Sequence, residues 1–351
     1  MSIKKIPATE FLSLMHQYPV FDVRSPGEYL HAHIPGAYSL PLFSDEERKV
    51  VGTAYKQQSR KDAIKFGLDF FGVKMKSMVE AVEKIIKEHT KKNPLTDNLQ
   101  PATILVHCWR GGMRSAAVAW LLDLYGFEVY TLAGGYKAYR NWVLQQFEKD
   151  YSFKMIGGYT GSGKTVLLLA LKNTGRHIID LEMLAKHKGS ALGGLEDEKQ
   201  PMQEMFENLL AGQLAAVQHN ETIFLEDESQ RIGNLQIPMP IWNTMRKKEV
   251  YFFNIPFEER LNYLTTEYKI YAKEKLVNAI IRIQKRLGGL ETKNAINHLL
   301  EDNHRECFRI LLKYYDKYYS KSLYNREDPA LIKTIAAGTT DAGENINFLN
   351  L

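Results

Sequence analysis

FKMIGGYTGSGKTVLLLAL (Phe153 to Leu171) begins as a short apolar strand, turns through a glycine-rich loop and continues as an apolar helix. Gly158, Gly163, Lys164 and Thr165 stand at the fixed positions of a P-loop, in the strand-before, helix-after context that this pattern requires. The glycines let the backbone N–H groups of Gly161, Ser162, Gly163, Lys164 and Thr165 turn inward and cradle a diphosphate. Lys164 neutralises its outer oxygens, and Thr165 is placed to ligate a magnesium ion. The loop is silent about what the diphosphate carries.

Downstream, the runs from His177 to Asp180, Thr222 to Leu225 and Val250 to Phe253 read as further strands. Helical patterns separate them, and Pro201 suits the first turn of one. This repetition predicts an α/β domain with a parallel sheet and the loop at its carboxyl edge. The strand ending at Leu225 runs into Glu226, Asp227 and Glu228, where a P-loop domain holds a metal-associated carboxylate. Asp180 and Glu182, after another strand, are weaker candidates of the same kind. Lys186, His187 and Lys188 lead into the glycine-rich HKGSALG loop and are candidates for contact with phosphate or RNA backbone. From Phe257 to about Tyr319 the pattern is helical throughout. There Arg282, Lys285 and Arg286 form a basic run, with Tyr263, Tyr268 and Tyr271 upstream of it, and are candidate RNA contacts.

About fifty residues before the P-loop stands a loop of different chemistry, HCWRGGMRS (His107 to Ser115). The β-branched run Ile104 to His107 leads into Cys108, and a helix starts near Met113. Gly111 and Gly112 allow N–H groups to point inward, a nest that stabilises a thiolate or an oxyanion. Arg110 and Arg114 are expected to lower the thiol pKa further. Two chemistries fit: transfer of sulfur or selenium through a cysteine-bound chalcogen, and phosphatase-like attack, because Cys108 and Arg114 satisfy Cys-x5-Arg.

Composition narrows the class without deciding it. The chain has 351 residues, enough for two domains, a net charge of +5 and ordinary apolar content. Cys108 and Cys307, the only cysteines, are not spaced as a metal site or disulfide framework, so a reducing, cytoplasmic compartment is expected. No secretory h-region follows the basic N-terminus, and the apolar stretch Ala116 to Leu122 is too short to cross a bilayer, so no membrane association is expected.

DVRSPGEYLHAHIPGA (Asp22 to Ala37) resembles the N-terminal signature of rhodanese domains, and AGGYKAYR (Ala133 to Arg140) the segment after their third strand. With the cysteine loop these segments imply a rhodanese-like domain over 1–145, carrying a charged helical insertion over about 43–100 that ends in the polar stretch Lys91 to Pro101. A P-loop domain is expected over 150–256, a helical region over 257–325 and a weakly patterned tail over 326–351. A rhodanese-like domain joined to a P-loop domain, with DLEMLAKHKGS, EDESQRIG and LLKYYDKYY downstream, resembles the bacterial tRNA 2-selenouridine synthase family. The resemblance implies a wobble 2-thiouridine in the tRNA anticodon loop, alkylated by geranyl diphosphate and then converted to 2-selenouridine with selenophosphate. It implies that Cys108, Arg110 and Arg114 serve selenium, that Lys164 serves the diphosphate, and that a selenophosphate synthetase supplies the selenium donor. The alternative is a rhodanese sulfurtransferase fused to an ATP- or GTP-dependent kinase or ATPase. A non-enzymatic P-loop scaffold that delivers sulfur to a partner is a further reading.

Overall fold

Thr103–His107 (β4) is buried along its whole length and is the middle strand of a five-stranded sheet. Its neighbours are Glu128–Leu132 (β5) on one side and Val20–Asp22 (β2) on the other, with Lys4–Ile6 (β1) and Tyr38–Ser39 (β3) at the edges. Every pairing is parallel. Strands covered on both faces read as near-continuous apolar runs, which is why this one stood out in the sequence. The computed structural model describes residues 3–92, 102–190, 193, 195, 198–218 and 220–349. Residues 93–101 of the predicted polar stretch, and Ala191 and Leu192 of the HKGSALG loop, lie outside them.

The chain divides into two compact units, Met1–Gln145 and Gln146–Leu351. In the first, the expected helical insertion consists of helices Asp45–Gln57, Arg60–Gly72 and Met75–Lys92. Ser44 and Ser59 start the first two, their hydroxyls accepting the N–H groups of Glu47 and Asp62. The insertion is part of the core, since Phe71, Met78 and Val82 pack with Phe21, Val106 and Leu122.

Beneath β4 lies a buried polar group built from the DVR segment. Arg24 Nη2 donates to Asp22 Oδ2 at 2.6 Å and to the Ala32 carbonyl at 2.7 Å, and the guanidinium lies 3.8 Å from the Tyr136 ring centroid. His107 Nε2 is 3.7 Å from Asp22 Oδ2. Burial pushes the Asp22 carboxyl up, but His107 and Arg24 reverse this and hold it below its ordinary value. Burial also holds His107 below its ordinary value, chiefly through lost hydration of the imidazolium. Both groups bind protons more readily in the unfolded chain, so they favour the fold at neutral pH and this support is lost as the pH falls. Removing one partner of such a buried pair typically costs about 3–5 kcal/mol, because the other is left charged and unmatched.

The second unit holds another five-stranded parallel sheet. Ser152–Gly158 (β6) is its middle strand. Thr222–Glu226 (β8) and then His177–Ile179 (β7) lie on one side, Val250–Asn254 (β11) and Ile332–Ala336 (β12) on the other. A short antiparallel pair, Arg231–Ile232 (β9) and Leu235–Gln236 (β10), stands apart. The tail thus supplies an edge strand, a feature its weak patterning did not reveal. Helix Gln203–Ala215 starts after an N-cap at Met202, so Pro201 precedes the cap rather than sitting in the first turn. Helices Phe257–Tyr268, Lys273–Leu287, Gly289–Leu300 and His304–Leu323 share their own core around Leu261, Ile280, Leu299 and Phe308. Cys307 belongs to that core, and burial pushes its thiol up to about 12, so it is inert packing.

Candidate functional sites

The cysteine loop leaves β4 at its carboxyl end and feeds helix Met113–Tyr125. Its shape is held from behind by the glycine pair of AGGYKAYR. Gly135, at φ +61°, packs so closely that a Cβ there would stand 2.4 Å from both the Cys108 carbonyl oxygen and the Gly111 nitrogen. The N–H groups of Tyr136 and Lys137 then donate to the carbonyls of Cys108 and Trp109 at 2.8 and 3.0 Å. With its carbonyls bound from behind, the loop leaves its own amides to face the sulfur.

Cys108 Sγ lies 3.2 Å from Ser115 Oγ, which also reaches the Gly112 carbonyl at 3.1 Å. The serine proton has two acceptors, and a thiolate would draw it from the carbonyl to sulfur. Burial pushes the thiol up, but the Ser115 hydroxyl and the amides of Gly112, Ser115 and Arg110 outweigh it, so the thiol is held below its ordinary value. This corrects the expectation that arginine charge lowers the thiol. Arg114 instead binds Glu28, Nη1 to Oε2 at 2.7 Å, and Arg48 binds the same carboxylate at 3.0 Å. Glu28 also closes the capping box of helix Pro26–His31 with Ser25, so Arg114 ties the DVRSPGEY segment to the cysteine loop. Arg110 is exposed and contributes its backbone amide to the sulfur.

In the second unit the P-loop leaves β6 and enters helix Lys164–Asn173. Gly161, at φ +81°, lets the turn press on helix Phe257–Tyr268, where a Cβ would come within 2.9 Å of the Arg260 carbonyl and Leu264. Lys164 Nζ donates to the Gly158 carbonyl at 3.2 Å. Ser162 Oγ is buried and has no hydrogen-bond partner among the described residues, an unmet polar group inside the cradle.

Carboxylate oxygens of Glu182, Glu226 and Glu228 lie within 4.8 Å of one another. Burial, then mutual repulsion, raises Glu182 above its ordinary value, while Lys164 opposes the shift. Glu226 is raised chiefly by burial, opposed by Lys164 and by a hydrogen bond from Thr165. Glu228 is raised for the same first reason. The predicted acidic set therefore divides. Asp227 points elsewhere and pairs with the buried Arg326 guanidinium, and Asp180 caps helix Leu181–Ala185 by accepting the Met183 N–H at 2.8 Å. Glu182, the weaker member in sequence, joins the cluster instead.

The candidate RNA residues divide as well. A cavity of about 740 Å³ is lined by the P-loop and the carboxylate cluster, and also by Lys186, His187, Lys188 and Arg286. Lys186 is paired with Glu198 at 3.0 Å. Burial and then the charge of Arg282 hold His187 below its ordinary value, which places Arg282 beside that turn. Lys285 is exposed and is not part of the cavity wall. Tyr268 packs on Phe308 in the helical core, with ring centroids 5.8 Å apart, and both it and Tyr263 line the cavity.

The family model described as tRNA 2-selenouridine synthase AAA domain matches residues 151–342, and that of the rhodanese-like domain matches residues 7–141. A tRNA 2-selenouridine synthase of Sulfurovum sp. is 33% identical over 348 residues, covering 89% of this chain and 91% of its own. This chain belongs to the tRNA 2-selenouridine synthase family. The corresponding protein of Shewanella denitrificans is 32% identical over 95% of this chain and 96% of its own. A solved N-terminal domain from Clostridium difficile 630 is 39% identical over 40% of this chain and 99% of its own, with a TM-score of 0.34.

The stretch LLKYYDKYY, read in sequence only as a family resemblance, is a brace for the P-loop. Asp316 holds Arg260 through two contacts of 2.8 Å, and Arg260 donates to the Thr160 carbonyl at 3.1 Å. The Tyr319 hydroxyl accepts the Gly158 N–H at 3.1 Å, and Tyr159 Oη lies 3.1 Å from Ser320 Oγ. The only sequence signal for these residues was their clustering in one tyrosine-rich helix. Their partners in the P-loop stand more than 150 positions away.

Proposed function

We propose that this protein converts the wobble 2-thiouridine of tRNA into 2-selenouridine, first by geranyl transfer from geranyl diphosphate and then by exchange of the S-geranyl group for selenium from selenophosphate. The observation that carries the reading is a conjunction within one member of this family. A thiol stabilised as its thiolate stands in one unit, and a P-loop cavity far larger than a diphosphate stands in the other.

In the first step the thiocarbonyl sulfur takes the allylic carbon of the donor as the carbon–oxygen bond breaks. Negative charge builds on the departing diphosphate, where the P-loop amides and Lys164 stabilise it. Thr165, Glu182, Glu226 and Glu228 suit a hard divalent cation such as magnesium, because a cation relieves the burial and repulsion that raise these carboxyls. Bound there, it would neutralise charge on the diphosphate oxygens. Alkylation makes the sulfur a leaving group: the selenium of selenophosphate bonds to the base carbon as the carbon–sulfur bond breaks and geranyl thiolate departs. Water then cleaves the selenium–phosphorus bond, releasing phosphate and leaving 2-selenouridine. Cys108 serves this selenium step, with Arg110 and the loop amides meeting the selenophosphate oxyanion and Arg114 holding the loop through Glu28. Selenophosphate comes from a selenophosphate synthetase, and the work is cytoplasmic. No helix among the described residues is long and apolar enough to cross a membrane.

Thermal protection tests the donor assignment. Geranyl diphosphate with magnesium, at about a hundred times its dissociation constant, is expected to stabilise the protein by about 2.7 kcal/mol, a rise of roughly 5 °C or more in melting temperature. ATP or GTP is expected to protect less. Strong protection by a nucleotide and none by geranyl diphosphate would favour a kinase or ATPase fused to a sulfurtransferase.

A further inference from the structure

The P-loop cavity extends past its diphosphate cradle onto helix His304–Leu323. Tyr314 and Tyr318, one helical turn apart, line it with ring centroids 4.8 Å apart and planes at 50°. Tyr318 is 42% exposed, so an aromatic face is open to an incoming ring. Arg286 lines the same cavity, where its charge opposes the rise that burial causes at the Tyr314 hydroxyl, and the turn of His187 and Lys188 also borders it.

We propose that the acceptor nucleobase enters this cavity and stacks on Tyr314 and Tyr318, while Arg286 and the His187–Lys188 turn meet the flanking RNA phosphates. The inference rests on the geranyl-transfer reading. It adds that acceptor and donor meet over the P-loop, and it names the residues that receive the acceptor. Transfer requires the sulfur and the allylic carbon to approach within about 3–3.5 Å, so base and donor must share one cavity. At about 740 Å³ the cavity is within the range that holds ligands far larger than a diphosphate.

Charge sorts the parts of the RNA. Around the P-loop the interior is lined by the buried Glu226 and the half-buried Glu182 and Glu228, which offer no counter-charge to additional phosphates, whereas a neutral base can enter, and basic side chains border the opening. Tyrosine faces carrying hydroxyls, with a guanidinium beside them, suit an unstacked base that has hydrogen-bonding edges. A hydrocarbon chain would gain nothing from those hydroxyls and would leave the guanidinium desolvated.

The test compares Tyr314→Ala/Tyr318→Ala, Tyr318→Ala alone and Tyr314→Phe/Tyr318→Phe with the unsubstituted protein. Two readouts are taken: affinity for a 2-thiouridine anticodon stem-loop, and thermal protection by geranyl diphosphate. The double alanine variant is expected to bind the stem-loop roughly ten- to a hundredfold more weakly, and the phenylalanine variant to retain affinity, since stacking needs only the ring. Protection by geranyl diphosphate should persist in all of them. Tyr318→Ala, at an exposed position, keeps the test valid should the double variant fold poorly. Stem-loop affinity unchanged in both alanine variants would overturn the proposal. So would intact affinity with lost protection, which would assign this wall to the prenyl chain. The functional reading fails separately, if the unsubstituted protein forms no S-geranyl nucleoside, because stem-loop affinity is measured without that product.

Discussion

Lys164→Ala is expected to lose geranyl transfer by roughly a hundredfold or more, because removal of a preorganised charge from a developing anion costs on the order of 3 kcal/mol. The surroundings of Lys164 raise that cost. Its ammonium holds down the carboxyls of Glu182, Glu226 and Glu228, all of which are raised by burial. Without it they would hold protons more firmly. Unmodified 2-thiouridine should persist in the RNA. An S-geranylated stem-loop supplied to the variant should still be converted to 2-selenouridine, since the Cys108 loop belongs to the other compact unit. Normal geranyl transfer by a well-folded Lys164→Ala protein would remove the P-loop from the reaction.

Cys108→Ser should show the complementary defect. Serine fills nearly the same space beside Ser115 but has no accessible anion at neutral pH, so the selenium step should fall to background. Nucleoside analysis should find S-geranyl-2-thiouridine accumulating in place of 2-selenouridine. Geranyl transfer should continue, because the cradle around Lys164 is untouched. Loss of both products from a folded Cys108→Ser protein would refute the division of labour between the two loops.

Both loops were legible in the sequence because each is local. A buried β-branched or apolar strand, closely spaced glycines and a following helix fall within about twenty residues in each case. What the sequence hid was set by distant partners. Arg114 looked free to serve Cys108, yet it answers Glu28, 86 positions away. Asp227 looked equivalent to its neighbours, yet Arg326, 99 positions on, takes its carboxylate. Glu182 gained its place only when β7 and β8 came side by side. The strand Ile332–Ala336 escaped notice because it is a short edge strand with no fully buried residue.

Placing Arg286 on the cavity wall changes how the basic run should be probed. Neutralising Arg282, Lys285 and Arg286 together would disturb the diphosphate cavity as well as any RNA surface, so the three do not isolate RNA binding.

The decisive measurement is a nucleoside time course by mass spectrometry with purified protein, a 2-thiouridine anticodon stem-loop, geranyl diphosphate and magnesium, followed by selenophosphate. S-geranyl-2-thiouridine should appear first and then give way to 2-selenouridine, with no selenation when geranyl diphosphate is withheld. Formation of 2-selenouridine from selenophosphate without geranyl diphosphate, or only with hydrolysis of ATP, would contradict the two-step scheme.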